Sequence, residues 1–260
     1  VESVHFLPGT EPERIGHKMV GRLLSDLGAM GAEPDHVLLN LVTGRATAAD
    51  TLERIYRGAE KLATAFGASI IGGDTIRGDA LALHGFASGH VPRGYAVLRS
   101  GARPGDAIYV TGELGGSIAG KHLDFTPRVR EGRWLANGRW ATAMMDLSDG
   151  LARDLRRICA RSGAGADIRA HAVPVSPHVL ETSDPATALR HALADGEDYE
   201  LLFTIPPDRV DAFEPAWRKA FELPVTRIGV MVPAECGIVL ATHDGRVEPL
   251  SNIGFDHLSG

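Results

Sequence analysis

The residues of this chain best suited to chemistry are carboxylates set beside signals for a helix or a strand. Asp146-Leu147-Ser148-Asp149-Gly150-Leu151 places two of them around a helix start, and Gly196-Glu197-Asp198-Tyr199-Glu200-Leu201-Leu202-Phe203-Thr204 places three at the entry to an apolar strand. Such clusters suit magnesium and phosphate, because Mg²⁺ takes hard oxygen ligands and a helix N-terminus presents N–H donors to an anion. A solvated face has no need of them. Asp26 falls within the apolar run of a first helix, and Asp74 follows Gly72-Gly73 at the end of a strand, where paired glycines let backbone N–H groups approach a phosphate. Each has a plainer reading too. Asp26 could be a helix charge facing water and Asp74 a turn residue, while Asp146 and Asp149 could cap a helix with Ser148, a role compatible with a site.

The elements that must position these groups can be read from periodicity. Thr10-Glu11-Pro12-Glu13 has the form of a capping box, and Ile15, Met19, Leu23 and Leu27 then recur at helical spacing, which predicts a helix over about 11 to 30. Thr47 to Asp50 repeats the start signal, and Leu52, Ile55, Ala59, Leu62 and Phe66 form a second stripe that stops at Gly67. Strand-like runs cover 36–43, 68–71 and 80–90. The polar stretch Arg99-Ser100-Gly101-Ala102-Arg103-Pro104-Gly105-Asp106 marks a boundary, which predicts units of 1–98 and 99–260. The second opens with a strand at 107–111, carries a helix from Ser148 to Ser162, and closes with strands at 199–205, 225–231 and 236–242, the last ending in a hairpin turn at His243-Asp244-Gly245-Arg246.

With 260 residues, 44% of them hydrophobic, the chain is long enough for two ordinary domains. A net charge of -6 with basic residues scattered along the sequence argues against a nucleic-acid partner. Cys159 and Cys236 are the two cysteines, so neither a disulfide framework nor a cysteine metal site is expected, and a reducing, cytoplasmic setting fits. The sequence has no signal peptide and no apolar run near the length of a membrane span. Gly115-Gly116-Ser117-Ile118-Ala119-Gly120-Lys121 imitates a P-loop, but His122 follows where magnesium needs Ser or Thr, so Lys121 is read as incidental.

Taken with Val1-Glu2-Ser3-Val4-His5-Phe6, Leu24-Ser25-Asp26-Leu27-Gly28-Ala29-Met30-Gly31-Ala32, Ile71-Gly72-Gly73-Asp74-Thr75 and Gly254-Phe255-Asp256-His257, the two carboxylate stretches resemble the thiamine-monophosphate kinase family in order and spacing along the whole chain. Its wider superfamily includes aminoimidazole ribonucleotide synthetase, selenophosphate synthetase and a hydrogenase maturation dehydratase. The resemblance implies a two-domain α/β (α+β) fold: an N-terminal sheet domain that dimerises and a C-terminal α/β sandwich, with ATP between them. It implies phosphorylation of thiamine monophosphate by ATP and Mg²⁺ in a cytoplasmic homodimer, by direct transfer without a covalent nucleophile.

The roles that the resemblance implies are as follows. Asp26, Asp74, Asp146 and Asp149 hold magnesium; Tyr56, Gly73, Asp74, Arg99 and Ser148 bind ATP; His5, Asp149, Glu197 and Phe255 bind the thiamine phosphate. Tyr56 and Phe255 could also be packing residues, and Arg99 a surface residue at a boundary. Because the sequence opens on Val1 inside a motif, a preceding segment with Gly-Asp-Asp and a further magnesium-binding Asp is expected upstream. Leu23 stands where the family usually has Asn, and Asp195 where it has Gly; the added carboxylate near Glu197 would weaken phosphate binding. The alternatives are a non-catalytic or truncated nucleotide-binding homologue, or another ATP-using enzyme of the superfamily. Selenophosphate synthetase is disfavoured because no reactive Cys lies near the start.

Overall fold

Pro12 opens α1 (Pro12–Ala29), where its missing N–H loses no helical hydrogen bond. The expected capping box does not form: Thr10 Oγ1 donates to the Leu7 carbonyl, and Glu13 pairs instead with Arg54. The computed structural model describes residues 1–44, 47–242 and 244–254. After α1 come β1 (Glu33–Thr43), α2 (Ala49–Ala65), β2 (Ser69–Arg77) and β3 (Ala82–His90). They form a three-stranded sheet in the order β2-β1-β3, parallel between β1 and β2 and antiparallel between β1 and β3. Strand β2 is longer than its sequence suggested, so Asp74 lies within the strand, opposite Asn40, rather than beyond its end. Strand alternation sends Val37, Leu39 and Leu41 into a core with Ile15, Val20, Leu24, Ile55 and Leu62. The opposite face leaves Leu38 and its cross-strand partner Phe86 exposed.

Helices α1 and α2 cross at glycines. A Cβ on Gly16 would stand 1.9 Å from the Ile55 carbonyl oxygen, and one on Gly58 would stand 1.9 Å from that of Glu13.

The remaining chain forms β4 (Ala107–Thr111), α3 (Lys121–Asp124), α4 (Val129–Asn137), β5 (Ala143–Asp146), α5 (Leu151–Ser162), β6 (Ala164–Arg169), α6 (Pro177–Thr182), α7 (Pro185–Ala194), β7 (Leu201–Ile205), α8 (Val210–Ala220), β8 (Val225–Pro233), β9 (Ile238–Ala241) and β10 (Val247–Pro249). Its seven strands run in the order β10-β9-β6-β8-β4-β7-β5. Central β4 is buried throughout because both faces are covered. Leu151, Leu155 and Ile158 of α5 pack on one side, and Phe213 and Trp217 of α8 join Tyr109 and Phe203 on the other. The hairpin expected at 243–246 falls partly on His243, outside the described residues; β9 and β10 on either side pair antiparallel.

The link from Lys121 to Met145 holds α3 and α4. Helix α4 packs on α1 closely enough that a Cβ on Gly132 would stand 1.9 Å from the Gly28 carbonyl oxygen. Helix α1 thus belongs to the first sheet's core and also contacts the second unit. The architecture is a two-domain α/β fold. Among the described residues, no helix is long and apolar enough to cross a membrane.

Candidate active site

Lys18, Arg22, Ser25 and Asp26 follow the helical spacing that keeps side chains on one face of α1, and that face meets the second unit. At one end, Ser25 Oγ donates to Asp146 Oδ2 at 2.7 Å. Asp146 ends β5 and is 3% exposed. Burial, and next the neighbouring Asp26 charge, push its carboxyl up to about 7; Asp26, although exposed on α1, is itself raised by the partial desolvation of its surroundings, against the pull of Arg99 and Arg22. Asp26 and Arg99 line a cavity of about 330 Å³ with Met30, Met144, Met145 and Arg161.

Two carboxylates that destabilise one another's charge suit a divalent cation, and Mg²⁺ is commonly held by one or two carboxylates together with substrate phosphates. Among the described residues no group of three or more His, Cys, Asp or Glu side chains is arranged to hold a metal. The Asp26 charge reaches Asp146, while the other two expected ligands have surroundings of their own. Asp149 is paired with Arg157. Asp74 is exposed on β2, its backbone N–H donating to Asn40 Oδ1 at 2.9 Å. Asp74 shares an open surface with Gly73 and Tyr56, whose hydroxyl lies 3.4 Å from the Leu39 carbonyl.

Towards the other end of the α1 face, His5, Arg22, Ser148, Asp149, Glu197 and Tyr199 line a cavity of about 90 Å³. The expected cap by Ser148 gives way to a different device. Helix α5 starts after Gly150, and fully buried Asp154 accepts the backbone N–H groups of Ser148 and Asp149 at 3.0 Å each. Arg157 pairs with both Asp154 and Asp149. Glu197 and Tyr199 adopt left-handed backbone (φ 55 and 51), rare for residues with side chains. Their N–H groups are held by the carbonyls of Ser148 and Leu147, each at 2.8 Å. Phe255 lies outside the described residues.

Asp195 also lines this cavity, but its oxygens accept from Gly116 N at 2.8 Å and contact His191 Nδ1 at 2.9 Å. The P-loop imitation is inert for a physical reason: the N–H groups of Gly115 and Gly116, which a phosphate would need, already bond Asp198 and Asp195. Lys121 is taken by Glu200 at 3.0 Å, and Arg128 grips the same carboxylate through two hydrogen bonds. Lys18, Arg22 and His122 were missed from sequence. The available signal was the spacing of Lys18 and Arg22 from Asp26 along one helix, which marks a shared face but does not say that the face is buried.

A two-sheet fold of this kind, with its carboxylates gathered where the first helix meets the second unit, matches known families over nearly all its length. AIR synthase related protein, N-terminal domain, matches residues 1–91, and AIR synthase related protein, C-terminal domain, matches 103–240. Thiamine-monophosphate kinase of Salmonella typhimurium is 37% identical over 98% of this chain and 83% of its own length. The crystal structure of thiamine-monophosphate kinase from Stenotrophomonas maltophilia superposes with a TM-score of 0.86 at 35% identity, covering 96% of this chain and 83% of that one. A structure of AaThiL complexed with AMPPCP and TMP gives 0.85 at 28% identity, covering 98% and 84%. The chain belongs to the thiamine-monophosphate kinase family.

Proposed function

We propose that this chain phosphorylates thiamine monophosphate with ATP, forming thiamine diphosphate. The observation that carries the reading is the placement of two cavities along one face of α1, the first lined by Asp26 and Arg99, the second by His5, Ser148 and Glu197. The family relationship supports it, as does the relative complexed with AMPPCP and TMP.

Magnesium on Asp26 and Asp146, with Asp149 and Asp74 as further ligands, would supply charge neutralisation for the transferred phosphoryl group. Tyr56, Gly73, Arg99 and Ser148 bind and orient the nucleotide. His5, Asp149, Glu197 and Phe255 hold the acceptor so that its phosphate oxygen lies in line with the γ-phosphoryl group. That oxygen is already ionised near neutral pH, so no strong general base is needed. Residues 1–98 form the nucleotide-binding and dimerising unit and 99–260 the second unit. The exposed face of β1 to β3 joins two copies in a cytoplasmic homodimer.

The test is product formation. Thiamine monophosphate, ATP and Mg²⁺ are incubated with the chain and with Asp146→Asn, and thiamine diphosphate is followed by chromatography. Product from the wild type alone is expected; none from either sinks the kinase reading for this chain.

A further inference from the structure

Lys18 is a charged side chain held at 3% exposure between the two units. An ammonium has three donors and no acceptor, and burying it is costly unless all three are partnered. Here they are. Nζ donates to the His5 carbonyl at 2.6 Å and to Glu197 Oε2 at 2.7 Å, and lies 2.6 Å from His122 Nδ1. Since an ammonium can only donate, Nδ1 is the acceptor and the imidazole proton sits on Nε2. The three partners come from the N-terminal stretch, the left-handed loop after α7, and α3. Two of them, His5 and Glu197, line the 90 Å³ cavity.

We propose that Lys18 is a positioning residue for the acceptor: it orients and keeps ionised the Glu197 carboxylate and ties down the His5 segment, so that both sides of the acceptor cavity are set from one point on α1. This rests on the functional reading above and adds a residue to it. Burial alone would raise the Glu197 carboxyl, yet the group is lowered, the Lys18 hydrogen bond and charge acting against that burial. A carboxylate kept ionised in a small cavity suits a cationic heterocycle. Oε1, which Lys18 does not take, lies 3.5 Å from the Tyr199 hydroxyl. Lys18 lines neither the Asp26 and Arg99 cavity nor the Tyr56 and Asp74 surface. Its loss therefore acts on acceptor and not on nucleotide.

The experiment compares the wild-type chain, Lys18→Met, Glu197→Gln and the double variant. KM is measured for thiamine monophosphate and for ATP, and binding of a non-hydrolysable ATP analogue is measured by calorimetry. Lys18→Met should raise the acceptor KM roughly tenfold to a hundredfold, the range for losing a hydrogen bond to a charged group, with analogue binding unchanged. The double variant should be no worse than the weaker single one, because Lys18 acts through Glu197. Lys18→Gln, and His122→Asn with Lys18 in place, provide the same readout should Lys18→Met fail to fold. An unchanged acceptor KM in a folded Lys18 variant overturns the proposal. So do effects that add in full in the double variant, or equal weakening of acceptor and nucleotide. A wild-type chain that neither binds nor phosphorylates thiamine monophosphate overturns the functional reading itself, and the role of Lys18 with it.

Discussion

Asp146 carries a conflict between folding and function that a single substitution should expose. Its carboxyl ionises near 7 in the folded chain, against about 4 for an unperturbed aspartate. Between those values the folded state keeps a proton that the unfolded state has lost, so this group's contribution to stability is full below pH 4 and falls as pH climbs to 7. Asp146→Asn removes the penalty. In the absence of metal, the variant should be more stable than wild type at pH 8, by on the order of 2–4 kcal/mol, and the two should converge near pH 4. Urea unfolding at the two pH values checks this, and the same variant should form no thiamine diphosphate. A variant less stable than wild type at pH 8 would show that burial of the charge is not what raises the group. Sequence marked this residue as a candidate because two carboxylates flank Ser148, and only the family resemblance implied a ligand role for it. It could not disclose Ser25 as the hydroxyl that braces it, since 121 residues separate them.

At the scale of elements, the turn from Asp146 to α5 is built by a side chain that the motif did not single out. Asp154 is fully buried and satisfies two backbone donors and Arg157. Asp154→Ala should cost about 2–4 kcal/mol in denaturant unfolding, because it strands those two donors and takes away one of Arg157's two carboxylate partners. Gly58→Ala should also destabilise the chain, by roughly 1–3 kcal/mol, as α1 and α2 are pushed apart by a methyl group that has 1.9 Å where it needs over 3 Å. Loss of unfolding cooperativity in the first unit alone would localise that damage. These elements were unevenly legible. Helices α1 and α2 were readable because one apolar stripe each faces one core. Strands β5 and β6 and helices α4, α6, α7 and α8 were not singled out; burial on both faces erases the alternation that marks a strand in four-residue β5, whereas the equally buried β4 and β7 were legible as longer apolar runs. Glycines such as Gly28 and Gly132 look permissive in sequence and become contact points only when helices from different units meet.

For the whole molecule, the open face of the first sheet is the feature that predicts assembly. Phe86 is 65% exposed and Leu38 beside it 40%, on a face with no helix over it among the described residues. Phe86→Glu should shift the chain from dimer to monomer in sedimentation; a wild type already monomeric at micromolar concentration would remove the sheet as an interface. Helix α1 has a different consequence. It carries Lys18, which bonds two residues lining the 90 Å³ cavity, and Asp26, which lines the 330 Å³ one, on one continuous rod. They lie eight positions apart on the helix, about 12 Å of rise. The spacing between the two chemistries is thus a ruler graduated in residues, stiffer than any loop could provide. Deleting one residue between them would shorten the ruler by about 1.5 Å and turn its far end by about 100°. The molecule can tolerate altered surfaces along α1, but it has no means of absorbing a changed count.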